Sequence, residues 1–176
     1  MKHSLRAVIC LLLSICLLLP LTACDDGGSY RNDLTAAEVS AAVTNALPAG
    51  DGWRQVSDQY ISASSWGDDY EDYLAKVAEY RIVVSENSDM NVDEVGVFKC
   101  KSEKDAKAVK EFAQNYLTAK VLQLTPLLES YNTAELPKLD HVTVNVMGCY
   151  VMYTILSSAD TTTAGSAMEK ALTPAA

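Results

Sequence analysis

The sequence is poor in the residues that most catalytic chemistry uses. Of its two histidines, only His141 lies beyond the first few residues. A Ser–His–Asp relay would have to run through that one ring. His141 follows Asp140 where a strand-like segment starts, and an exposed strand-edge histidine is the plainer reading. No C-x-x-C or H-x-x-x-H spacing occurs, so the usual metal-ligand signals are missing. No glycine-rich loop is present to cradle a phosphate. Positive charge is also scarce, with 14 Lys+Arg against 23 Asp+Glu and a net charge of −9. Such a surface disfavours nucleic acid and anionic lipid headgroups. No apolar run reaches the ~20 residues that a spanning helix needs. No internal repeat is visible.

What is present begins at the N-terminus. Lys2 and Arg6 precede an apolar stretch from Ala7 to Leu19, interrupted only by Ser14 and closed by Pro20. That length suits a signal-peptide core. Leu21, Thr22, Ala23 and Cys24 follow directly and have the form of a lipobox. The Cys24 thiol would accept a diacylglyceryl group with palmitate-type chains. The small residues at 22 and 23 would let a peptidase cut before the cysteine. The plainer alternative is ordinary secretory cleavage after Ala23, with Cys24 left as a thiol. Two or more acyl chains give lasting attachment, at about 0.8 kcal/mol per buried methylene. Processing would leave residues 24–176, with 12 basic against 23 acidic residues and a net charge of −11. Residues 24–33 then read as a lipidated cysteine and short tether, and 34–176 as a single domain with room for a sizeable core.

Along that domain, Thr35 and Glu38 form a capping box before a helix over 36–47. Residues 53–78 mix aromatics with acids and give no clean period; Trp53, Val56, Tyr60 and Ile61 suit either a short strand or a helical turn. "EYRIVVSE" (79–86) and "EVGVFKC" (94–100) predict an antiparallel hairpin. Ser102 with Asp105 starts a long helix over 103–130. Its stripe runs through Ala106, Val109, Ala113, Tyr116, Leu117, Val121, Leu124 and Leu128. Pro126 should kink or restart it. "HVTVNVM" (141–147) alternates as a strand, Gly148 makes a tight turn, and "CYVMYTIL" (149–156) is apolar on both faces, as a central strand would be. A weaker helix ends the chain.

Two further features invite a chemical reading. Removing the leader and lipidating Cys24 leaves Cys100 and Cys149, on two predicted strands. If those strands pair, a disulfide closing a loop of about 50 residues would stabilise by roughly 4 kcal/mol. The alternative is two buried, inert thiols acting as small hydrophobes. "DDYEDY" (68–73) gathers four acids without the spacing of an EF-hand loop. It reads as a solvated acidic face, or else as a contact patch for a basic partner or a weak calcium site.

"EVGVFKCKSEKDAKAVKEF" (94–112) and "GCYVMYTILSSAD" (148–160), together behind a lipobox, resemble the domain-of-unknown-function family numbered 4358, small lipoproteins of clostridia-like Firmicutes. The resemblance rests on Glu94, Val95, Val97, Phe98 and Lys99, then on Gly148, Tyr150 and Val151, then on Ser157 and Asp160. It spans roughly 35–172. It implies a Gram-positive cell envelope and brings no catalytic residues with it. The cysteines at 100 and 149 depart from the pattern, which has an apolar and a polar residue there.

The expected architecture is α+β: an antiparallel sheet of about four strands under one long helix, in two layers. The expected function is a non-catalytic lipoprotein held at the cell membrane through Cys24, on the extracytoplasmic face. It would bind an envelope protein or ligand and use no cofactor beyond its covalent lipid. An envelope enzyme or thiol redox module using Cys100/Cys149 or His141 is the alternative. A two-lobed solute-binding protein fits poorly in so short a chain.

Overall fold

The computed structural model describes residues 30–48, 52–86 and 90–174. The signal segment, the lipobox at 21–24 and the first part of the tether lie outside the described residues. Helix α1 (Ala36–Ala46) starts at the expected capping box. The Glu38 N–H donates to Thr35 Oγ1 at 3.1 Å, and the Thr35 N–H donates to Glu38 Oε2 at 2.7 Å. Strand β1 (Trp53–Gln55) follows, then a short 3-10 turn (Asp58–Tyr60), α2 (Ala63–Trp66) and α3 (Tyr70–Leu74). These elements are too short to carry a period. Of their residues only Trp66 is buried; Val56 and Ile61, in the connections between them, are the other buried plugs, which explains the unreadable pattern of 53–78.

Strands β2 (Val77–Ser85) and β3 (Glu94–Cys100) form the expected hairpin. Helix α4 (Glu103–Tyr131) is capped by Ser102, whose Oγ accepts the Asp105 N–H at 3.1 Å. Ala106, Val109, Phe112, Ala113, Tyr116, Leu117 and Leu128 form its buried face, while Val121 and Leu124 are partly covered. The helix does not restart at Pro126. Proline removes the bond to the carbonyl four residues earlier, at Leu122, whose side chain is 73% exposed. On such a face water can take the bond's place. A short α5 (Leu136–Leu139), β4 (Thr143–Met147), β5 (Tyr150–Ile155) and α6 (Ser158–Leu172) complete the chain. Gly148 has φ +56°, and with Cys149 it makes the two-residue turn between β4 and β5. That geometry suits glycine at the first central position.

The class is α+β, and the sheet is antiparallel throughout, in the order β1-β2-β3-β5-β4. Two features extend the sequence reading. The sheet has five strands, because β1 adds an edge beside β2. It is also covered on both faces, so the architecture has three layers rather than two. Phe98, Val151, Tyr153 and Ile155 face α4. Val95, Val97, Tyr150 and Met152 face the pair α1 and α6, which contributes Val39, Val43, Ala164, Met168 and Leu172. Strands β3 and β5 are buried on both sides, so neither face can be left to solvent.

Candidate functional site

Glu94 opens β3 and is 2% exposed. Alternation along the strand puts it on the α4 face with Gly96 and Phe98. A carboxylate there needs partners, because burial without hydrogen bonds costs several kcal/mol. It receives three hydroxyl donors from three separate parts of the fold. Tyr116 of α4 donates to Oε1 at 2.7 Å, Tyr153 of β5 donates to Oε1 at 2.5 Å, and Tyr60 of the 3-10 turn donates to Oε2 at 2.7 Å. Each hydroxyl has one hydrogen, already committed to Glu94. The 2.9 Å approach of the Tyr60 and Tyr116 oxygens therefore has no hydrogen of its own. Lys120 of α4 relieves it by donating to the Tyr60 oxygen at 3.1 Å. Its ammonium stands 3.8 Å from Glu94 Oε2 and lies over the Tyr60 and Tyr116 rings, 5.4 and 5.6 Å from their centroids.

The surroundings keep these hydroxyls as donors. Burial, then the charge of Glu94, raises the pKa of Tyr60, Tyr116 and Tyr153 above the ordinary tyrosine value. Trp66 stacks flat on Tyr116, with centroids 3.8 Å apart and planes at 4°. Such a pair adds about 0.5–1.5 kcal/mol beyond area burial. Gly96 supplies the space for Tyr153: a Cβ at position 96 would lie 2.0 Å from the ring. The residue pattern Glu94-Val95-Gly96 thus sets a carboxylate and a gap on one face, and Tyr153 fills the gap from the neighbouring strand.

A cavity of about 430 Å³ opens beside this cluster, with Tyr60, Glu94 and Lys120 in its wall and Arg54 across from them. Its floor includes Asp93, which Lys138 of α5 meets at 2.6 Å. The same ammonium pairs with Glu135 at 2.8 Å, and Glu135 Oε2 accepts the Val92 N–H at 3.0 Å. This network fixes residues 92–93 against α5.

The residues that the sequence singled out do not assemble here. Cys100 and Cys149 meet at the opposite end of β3, where the Cys100 N–H donates to the Cys149 carbonyl at 2.8 Å. The strands therefore pair as the disulfide reading required, and both residues stand as thiols. Burial, then the neighbouring Cys149, pushes the Cys100 thiol up to about 12. Alkylation of the folded protein at neutral pH is accordingly expected to spare Cys100, checked by peptide mass mapping. Rapid labelling of Cys100 would show a more accessible thiol than this packing allows. His141 precedes β4 and is exposed. It lies beyond the end of β4 remote from the Gly148–Cys149 turn, so the histidine and the thiols form no joint site. Asp68, Asp69, Glu71 and Asp72 are exposed around α3, as a solvated acidic face would be. Among the described residues, no group of three His, Cys, Asp or Glu is placed to hold a metal ion.

Glu94, Tyr60, Tyr116, Lys120 and Tyr153 were missed as a site. A signal existed: Glu94 shares a face with Phe98 in a strand otherwise apolar there, and a lone acid in such a place demands partners. A family model described as Domain of unknown function (DUF4358) matches residues 67–156. That span includes Glu94, Tyr116, Lys120 and Tyr153 but not Tyr60, α1 or α6. No curated protein and no solved structure matches the chain.

Proposed function

This chain belongs to the DUF4358 family, a domain of unknown function, and from that premise we propose that it is a non-catalytic binding module, anchored by lipid at the extracytoplasmic face of a Gram-positive cell membrane. The observation that carries the binding half is the cavity over the Glu94 cluster. It is open to a ligand, and the acid in its wall is held by three hydroxyl donors, two on Oε1 and one on Oε2, with Lys120 beside Oε2. The tyrosines are held as donors rather than as bases. An arrangement of that kind suits orienting and holding a ligand.

The anchored half is supported by Leu21, Thr22, Ala23 and Cys24 behind an apolar core of signal-peptide length. No helix among the described residues is long and apolar enough to cross a membrane. Replacing Cys24 with Ala is expected to abolish lipidation and release the protein from the membrane fraction, read by fractionation and intact mass. Retention of the variant in membranes through an uncleaved leader would refute the lipobox.

A second reading, a thiol redox module, is favoured by one observation: Cys100 and Cys149 face each other at the end of the β3–β5 ladder. Directly opposed residues in an antiparallel pair have Cα atoms about 4.5–5.5 Å apart, within disulfide reach. The raised Cys100 thiol argues against ready exchange. Such a module would act on envelope material.

A further inference from the structure

The cavity is built on a single transverse row of the sheet. Arg54 faces Val84 across β1 and β2, and Val84 faces Glu94 across β2 and β3. Residues paired in this way share a face, so Arg54 and Glu94 stand on the α4 side, two strands or about 10 Å apart. Val84 lies between them with a short side chain, and Lys120 comes down from α4 on the Glu94 side. The gap over Val84 is the cavity.

The charges around that gap are unevenly satisfied. Glu94 takes three hydroxyl donors, and Asp93 shares Lys138 with Glu135. The Arg54 side chain makes no hydrogen bond or ion pair among the described residues. Lys120 spends one N–H on the Tyr60 oxygen, and an ammonium has three donors. Both cations line the cavity, together with the apolar Val56, Val84, Val92 and Leu124. Resting on the reading of this cavity as a ligand site, we propose that it binds a small organic carboxylate, held by the Arg54 guanidinium and the Lys120 ammonium, with its carbon skeleton over Val84 and Leu124.

A guanidinium presents parallel N–H donors that match the two oxygens of a carboxylate. Arg54 is the cation of this wall whose side chain meets no acid among the described residues, so a single carboxylate suits it better than a dianion. A phosphate dianion would face Glu94 and Asp93 in the same wall. A ligand ammonium would meet Lys120 in the place over the rings and Arg54 across the cavity.

The test is calorimetric titration of the full processed protein in detergent micelles. The probes are propionate, succinate and benzoate, with inorganic phosphate and methylammonium beside them. Saturable binding of at least one carboxylate is expected, weakened at least about tenfold by Arg54→Gln. The Arg54 side chain is exposed and makes no hydrogen bond or ion pair among the described residues, so the unliganded variant should melt with the unchanged protein; this separates lost binding from lost folding. Carboxylate binding that Arg54→Gln leaves intact would overturn the proposal. Preferential binding of phosphate or methylammonium would overturn the carboxylate and keep the cavity as a ligand site. No response to any of the probes would overturn both.

Discussion

Gly96→Ala is expected to be among the most damaging single-methyl additions in the molecule. The new Cβ would sit 2.0 Å from Tyr153 Cε1 and 2.4 Å from Cζ, far inside contact distance. The ring has nowhere to go. Tyr153 is fully buried, with Trp66 and Tyr116 packed edge-on at centroid distances of 5.7 and 5.4 Å. Overpacking of this kind costs about 1–3 kcal/mol. Any swing of the ring also withdraws its hydroxyl from Glu94, a charge-assisted bond contributing about 1.5–3 kcal/mol. A combined loss of roughly 3 kcal/mol or more should lower the melting temperature by about 6–12 °C in a domain of this size. Thermal unfolding followed by circular dichroism measures it. The mechanism is checked by Gly96→Ala combined with Tyr153→Leu. The smaller side chain removes the clash, so the double variant should be more stable than the two single losses added together. Strict additivity would place the cost of Gly96→Ala elsewhere.

Glu94→Ala should be comparably severe for a different reason. The substitution removes little volume from the hydrophobic core, but it leaves the hydroxyls of Tyr60, Tyr116 and Tyr153 without their acceptor. Lys120 loses its counter-charge at the same time. Breaking a buried charged network by removing one member typically costs about 3–5 kcal/mol. Lys120→Gln should cost about 1 kcal/mol or less. Its ammonium is part-exposed and stands 3.8 Å from the carboxylate, without the short geometry of the tyrosine bonds. The order of the two losses in denaturant unfolding is the informative result. If Lys120→Gln were as damaging as Glu94→Ala, the ion pair rather than the hydroxyl cage would hold the centre together.

Much of the fold was legible because it depends on neighbours in sequence. Thr35 with Glu38, Ser102 with Asp105, the β2–β3 hairpin and the Gly148 turn are all local devices, and each formed where its residues stand. The third layer was not read, although its signal was present. "CYVMYTIL" is apolar on both faces, which already requires cover on both sides of the sheet. α1 and α6 were recognised as helices, but nothing in their periodicity says which face of which sheet they bury. α6 is further disguised by its threonines and Gly165, which leave Ala164, Met168 and Leu172 as a thin stripe. The Glu94 site was harder. Its three hydroxyl donors lie 34, 22 and 59 residues from the acid, so only tertiary structure brings them together. The strand containing Glu94 was found correctly, and the demand that its buried carboxylate makes on distant residues was not followed.

The beginning of the described chain is stitched to one end of the sheet. The Arg31 N–H donates to the Leu172 carbonyl at 2.8 Å, and the Tyr150 hydroxyl donates to the Leu34 carbonyl at 2.6 Å. Tyr150 pairs with Lys99, so this is the Cys100 end of β3, whereas Glu94 marks the other end. Tyr30 lies six residue steps beyond Cys24, and that length of chain can span at most about 20 Å. β3 itself extends the separation by roughly another 20 Å from Cys100 to Glu94. A lipid at Cys24 would therefore act as a short leash on one pole of the molecule. With that anchor, the seam between Cys100 and Cys149 would be on the bilayer side, and the mouth between Arg54 and Lys120 would look away from it.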